Sequence, residues 1–225
     1  MVFTMRSFFL SVLALVVICG FAVPAKADYV VWKDHNTGVS LSWPDTWKIV
    51  SNADADDVVT IMPPSGRAHA ACRVRAREDA RYVIYPPRYS WAVQEVAYSY
   101  DFFDSYLMEY TNPVIYETHD GAGLGRGFAG YALAGYESAV QGPYMERMAM
   151  IFASVYNGTA YILECSSHKD AFWRWQKLFL SIAGSVDFEK AHHELITGHY
   201  AHEPIFIKDP PIEFMGDEGP NRILY

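Results

Sequence analysis

Asn157-Gly158 stands between two apolar runs, 144–155 and 159–165. An Asn-Gly pair supplies the positive-φ residues of a tight hairpin turn, so the two runs are expected to fold back on each other as antiparallel strands. In the second run Tyr161, Leu163 and Cys165 take one face of the strand, and Ile162 and Glu164 take the other. The same punctuation recurs upstream. Strand-like segments at 114–118 and 127–138 flank the Gly-rich stretch 121–127, which reads as a flexible hairpin turn. Near the start, 30–32 and 39–43 form a short pair across Asn36-Thr37-Gly38, with Val39, Leu41 and Trp43 alternating against Ser40 and Ser42. A further strand at 58–62 stops at Pro63-Pro64. The segment 68–78 puts Ala70, Cys72, Val74 and Ala76 on one face and Arg73, Arg75 and Arg77 on the other.

Two segments change period. From Ser90 onward the pattern is helical, and Phe102, Phe103, Tyr106, Leu107 and Tyr110 make one broad apolar stripe opposite Asp101, Asp104, Ser105 and Glu109. Thr111-Asn112-Pro113 stops it. After Ser167-His168-Lys169-Asp170, a variant capping box with Asp in place of Glu, Phe172, Trp175, Phe179 and Ile182 recur at roughly helical spacing up to Gly184. A last extended segment is expected at 185–188. The order is strands, helix, hairpins, helix. No β-α-β alternation occurs, so the expected class is α+β, with a largely antiparallel sheet flanked by helices. The domain spans 28–190. An irregular His- and Pro-rich extension at 191–225 wraps on the domain or stays mobile.

Residues 1–27 read as a secretory signal: one early positive charge at Arg6, an apolar run over 7–23, and Ala25-Lys26-Ala27 ahead of a cleavage point at Asp28. A retained helix is the alternative, and Cys19 as a lipoprotein cysteine is disfavoured by Ile18 before it. The expected location is periplasmic or secreted, with no integral span after cleavage. The net charge is −8, and cleavage would remove Arg6 and Lys26 and no acid. That excess of acid argues against nucleic acid or anionic lipid as the general partner. Hydrophobic residues at 51% exclude a disordered chain. The 16 tyrosines suit half-buried sheet faces and interfaces, where the ring is buried and the hydroxyl stays wet.

Three segments together resemble the PsbP-like (Mog-like) family: Gly38 to Trp47 with its Ser-Trp-Pro-Asp-Thr-Trp core, the hairpin around Asn157-Gly158, and Phe179 to Phe188 with its Ile-Ala-Gly-Ser-Val-Asp-Phe ending. The resemblance covers about residues 29–188. It implies an α-β-α sandwich and a role in binding partners, with no shared catalytic residues. The chain departs from the family pattern in its Arg-rich strand and its C-terminal extension.

Several clusters offer candidate chemistry. Arg67, Arg73, Arg75, Arg77, Arg81 and Arg88 crowd 22 positions. Arg73, Arg75 and Arg77 share a face and repel one another unless acids intervene. They make either a solvated face neutralised by internal Asp and Glu, or a recognition surface for an acidic protein or anionic ligand. His192, His193, His199 and His202 could bind Zn²⁺ or Cu²⁺, although their spacing matches no standard motif. No other cofactor is implied. Asp54, Asp56 and Asp57 read as a plain acidic loop without an EF-hand pattern. Cys72 and Cys165, the pair left after cleavage, admit a disulfide or two buried small hydrophobes. No nucleophile elbow occurs. The expected function is an exported, non-enzymatic binding or assembly factor contacting an unidentified protein partner. A small-ligand or transition-metal-binding module and an uncharacterised hydrolase are the alternatives.

Overall fold

The computed structural model describes residues 28–190, apart from 53, 65, 67, 83, 86–88 and 140–142, together with the backbone of 212–216 and 219–223. Strand β1 (Tyr29–Lys33) pairs antiparallel with β2 (Val39–Pro44). The short β3 (Lys48–Val50), β4 (Asp57–Met62) and β5 (Ala71–Glu78) open the main sheet. Helices α1 (Ser90–Ala97) and α2 (Tyr100–Leu107) follow. Then come β6 (Thr111–Leu124), β7 (Gly127–Ser138), β8 (Met145–Tyr156) and β9 (Thr159–His168). A 3-10 turn at Lys169–Ala171 leads into α3 (Phe172–Gly184), and β10 (Asp187–Phe188) closes the domain. The main sheet has seven strands in the order β3-β4-β5-β9-β8-β7-β6, every neighbouring pair antiparallel. A second sheet, β1-β2-β10, brings the two ends of the domain together.

The α+β class and the antiparallel sheet flanked by helices are as the sequence implies. The differences are local. The helical region is two helices, because Tyr98 leaves helical geometry and Ser99 is extended. Gly121, Ala122 and Gly123 continue β6, and only Gly125-Arg126 turn the hairpin. At Gly125 (φ +60) a Cβ would meet the Phe188 ring at 2.3 Å, so both conformation and space require glycine. His168, rather than Ser167, caps the turn before α3, its Nδ1 accepting from the Asp170 amide at 3.2 Å. Within the extension expected to be irregular, β11 (Ile212–Gly216) and β12 (Gly219–Ile223) form a hairpin whose register sets Gly216 against Gly219 across a two-residue connection.

Strand alternation gives the main sheet two buried faces of different character. One face packs Cys72, Val74, Leu163 and Phe152 against Trp47, Phe172, Phe179 and Ile182, with Val39, Leu41 and Trp43 of the small sheet closing the same core. The other packs Ala132, Ala134, Ala149, Ile151 and Ile162 against Val93, Ala97, Phe103 and Leu107 of α1 and α2. Small residues on that second face let the helices come close. At Gly130 a Cβ would meet the Tyr98 carbonyl oxygen at 2.5 Å. Gln94, buried on α1, locks the approach: its Nε2 donates to the Val155 carbonyl at 2.8 Å, and its Oε1 accepts from the Val155 amide at 3.1 Å. Both polar ends of a buried amide are thus satisfied.

Candidate functional site

The β5–β9 register sets Cys72 opposite Cys165 and, one step along, Arg73 opposite Glu164. On the face toward α3 the two sulfurs are joined as a disulfide. On the face toward α2 the neighbouring pair begins an ion cluster. Arg73 Nη2 donates to Glu164 Oε2 at 3.0 Å, and Arg73 Nη1 donates to Asp54 Oδ2 at 3.1 Å. Arg75 Nε donates to Asp57 Oδ1 at 3.1 Å, and its Nη1 donates to both Glu109 oxygens at 2.9 and 3.1 Å. Glu109 also accepts from Arg73 at 3.2 Å, so this residue, just past α2, bridges both guanidinium groups. Asp54 also accepts from Arg75.

Arg73 and Arg75 are only 3% and 5% exposed. They therefore do not form the open recognition surface for an acidic partner that the ladder could have made. They are neutralised by internal acids, as the alternative reading had it, but inside the protein rather than on a solvated face. The physical reason is that a buried guanidinium needs carboxylates close by, and the loop at 54–57, β9 and the end of α2 converge to supply them. Arg77 differs. It is exposed, with Cζ 5.9 Å from the Phe102 ring, and makes no ion pair among the described residues. Arg67 and Arg88 lie outside the described residues, as do His192, His193, His199 and His202, and so do residues 1–27, where a secretory signal is expected.

Tyrosines finish the cluster. Tyr106 donates to Glu164 Oε2 at 2.6 Å, Tyr110 donates to the same oxygen at 2.9 Å, and Tyr136 donates to Oε1. Tyr110 and Tyr136 stack with centroids 4.0 Å apart. Burial pushes the Glu164 carboxyl up, but the Arg73 guanidinium and the tyrosine hydroxyls outweigh it and hold the group at about 2. Burial raises Tyr106, Tyr110 and Tyr136, and the Glu164 charge adds to this. For Arg73, burial opposes the charged form, but Glu164 overrides it and the guanidinium is held above its usual range. Glu164 is thus held as an ionised acceptor. At the end of the same face Arg147 donates to Ser166 Oγ at 3.0 Å and to the His69 carbonyl at 2.8 Å, while its Nη1 is buried without a hydrogen-bond partner.

Asp54, Asp56 and Asp57 bring their carboxylates within 4.8 Å of one another, but Asp54 and Asp57 already face Arg73 and Arg75, which repel a cation there. Two His–carboxylate pairs occur among the described residues. His119 Nε2 lies 2.6 Å from Glu117 Oε1, and His168 Nδ1 lies 3.8 Å from Asp170 Oδ2. Neither pair is buried.

Glu164, Glu109, Tyr106 and Tyr110 were not legible as a unit. The signal was available in the register: pairing Cys72 with Cys165 forces residue 73 against 164. Glu109 lies just past the last turn of α2 on the exposed side, as its position in the helical pattern implies, and its carboxylate reaches Arg73 and Arg75 from the rim of the cluster.

The outward side of α1 and α2 displays several large hydrophobic side chains. Trp91 (51% exposed), Val96 (68%), Tyr100 (54%) and Met108 (72%) face outward there. Between this surface and the end of β5 runs a cleft of about 680 Å³, with Tyr82, Val96 and Phe102 as its apolar walls and Arg77, Glu78 and Asp101 at its margin. Among the described residues no helix is long and apolar enough to cross a membrane.

No protein-family model matches the chain, and no curated protein matches it by sequence. Several solved structures are similar to the chain, each at a TM-score below 0.5. PsbP (CyanoP) from Synechocystis sp. PCC 6803 is 13% identical, with 73% of this chain and 95% of that one covered, at a TM-score of 0.47. LpqN of Mycobacterium tuberculosis, described as involved in cell envelope biogenesis, is 13% identical over 71% and 90% of the two chains, at 0.43. The Ran-binding protein Mog1p of Saccharomyces cerevisiae is 6% identical over 72% and 96%, at 0.44.

Proposed function

We propose that this protein is an exported binding or assembly factor that acts by contacting a protein partner and catalyses no reaction of its own. The observation that carries the reading is the contrast at α1 and α2. Inside, α1 is held by Val93, Ala97 and the Gln94–Val155 hydrogen bonds and α2 by Phe103, Leu107 and the Tyr106–Glu164 hydrogen bond, while Trp91, Val96, Tyr100 and Met108 stand outside in water. Large aromatic and thioether side chains displayed on a fixed support are what interface cores use, because they bury much area for little lost freedom. The leader at 1–27 supports export, and the paired cysteines suit an oxidising compartment.

Cross-linking in cells, at physiological salt and followed by mass spectrometry of the adducts, tests the reading. One or a few recurrent partner proteins are expected outside the cytoplasm. An unlinked protein that instead turns over an ester, peptide or glycoside substrate would replace it with the hydrolase reading.

A further inference from the structure

Between Tyr89 and Gly125 the chain contains no lysine and no arginine. Glu95, Asp101 and Asp104 lie on α1 and α2 with at least part of each side chain in solvent. The same two helices carry the exposed Trp91, Val96, Tyr100 and Met108. At the margin, Arg81 is neutralised by Asp79, to which its Nε and Nη2 donate at 2.8 and 2.6 Å. Arg77, exposed and without an ion pair among the described residues, lies toward the Phe102 ring and leaves one positive charge at the margin against Glu95, Asp101 and Asp104 on the helices. The helix face is therefore acidic as well as aromatic.

We infer that this face docks a basic, apolar segment of another protein, in which lysine or arginine side chains alternate with large hydrophobic ones. The inference rests on the protein-partner reading above and adds the partner's chemistry. Charge complementarity selects the occupant. Anionic lipid is repelled by Asp101 and Asp104. A second copy of this chain, at net charge −8, would bring like charge to like. The chain's own segment 191–225 carries Glu194, Glu203, Asp209, Glu213, Asp217 and Glu218 against only Lys208 and Arg222, so it has the wrong sign as well. The cleft beside α1 and α2 already holds the chain's own Arg77 and Arg81 over the Phe102 and Tyr82 rings, so the partner's basic side chains are expected along the helices at Glu95, Asp101 and Asp104 rather than inside it. The polarity of the partner is thus opposite to the one an exposed arginine ladder would select.

The test uses the whole protein and a fluorescein-labelled amphipathic peptide built from lysine and leucine. Two controls replace lysine by glutamate or leucine by serine, and binding is read by anisotropy at low and high salt. The Lys/Leu peptide should bind roughly tenfold or more tightly than either control, and more weakly as salt rises. Trp91→Ala with Tyr100→Ala should weaken it by roughly tenfold or more, as loss of aromatic anchors does. Asp101→Asn with Asp104→Asn should weaken it roughly three- to tenfold and flatten the salt dependence. Trp173→Ala, an exposed aromatic on α3, should leave it unchanged. All five sites are on the surface, so thermal unfolding should confirm that the variants fold. Equal binding of the Lys/Leu and Glu/Leu peptides would overturn the inference. So would an equal loss with Trp173→Ala, capture of anionic phosphatidylserine vesicles by this face, or dimerisation abolished by Trp91→Ala. A cross-linked partner that Asp101→Asn/Asp104→Asn and Trp91→Ala leave undisturbed would remove this surface and leave the protein-partner reading standing. Peptide binding as expected with no cross-linked partner in cells would remove that reading instead.

Discussion

The two faces of the main sheet bury comparable side chains by opposite means. Toward α3 the interior is Trp43, Trp47, Phe172, Phe179 and Phe188 around a disulfide. Toward α1 and α2 a layer of small and aliphatic side chains with Phe103 and Leu107 adjoins Arg73, Arg75 and Glu164 with their tyrosines. The first face gains from removing apolar area from water and tolerates any well-shaped hydrophobe. The second gains little net free energy from its ions, since desolvation offsets most of the attraction. What it gains is direction: the Arg–Glu–Tyr contacts fix where α2 lies and how it is turned. The interior that holds a domain together and the interior that positions a surface need not use the same forces.

Removing one ion from the polar face should be the most damaging change. Glu164→Gln takes from Arg73 its buried cross-strand carboxylate, leaving Asp54, Asp57 and Glu109, and takes the ionised acceptor from Tyr106, Tyr110 and Tyr136, and a loss of about 3–5 kcal/mol is expected in chemical denaturation. Phe179→Ala on the apolar face should cost a similar amount, about 3–5 kcal/mol, through the cavity it leaves. The two differ in rescue. A second hydrophobic substitution at Arg73 should recover much of the first loss, and no single polar change should recover the second. Cys72→Ala with Cys165→Ala should cost about 2–4 kcal/mol, since the bridge closes a loop of 93 residues. If that loss vanished under oxidising conditions, the bridge would not form in solution.

Acid should distinguish the faces next. The Glu164 carboxyl is held at about 2, below its ordinary value of 4.5. Its contribution is therefore complete above the unfolded value and is lost as pH falls from there toward about 2. Wild type should lose stability across that window. Glu164→Gln, already destabilised, should show a visibly flatter acid limb in urea unfolding. The smallest effect belongs to the last rung of the ladder. Arg77→Ala should change stability by no more than about 0.5 kcal/mol, because its guanidinium is exposed and unpaired among the described residues.

The sheet was legible because strand period and turn chemistry are local. Asn157-Gly158 marked the β8–β9 hairpin, and alternation put Arg73 and Arg75 on the face opposite Cys72. What those arginines meet was not local. Glu164 is 91 residues from Arg73 in the chain, and only the cross-strand register joins them. Burial misled in the same way. Three arginines in alternation look solvated until a loop and a helix end cover two of them. The split at Tyr98-Ser99 was hidden because no glycine or proline marks it, and Tyr98 packs instead on Gly130 of a distant strand, where a Cβ would meet its carbonyl oxygen at 2.5 Å.

The central claim is that Arg73 and Glu164 form an interior pair that fixes α2, and a double-mutant cycle tests it most directly. Arg73→Met, Glu164→Leu and the double variant are unfolded in urea beside the wild type. The account predicts a double variant more stable than the sum of the single losses implies, by about 2 kcal/mol or more. Strictly additive losses, or single losses of about 0.5 kcal/mol as surface positions show, would contradict it.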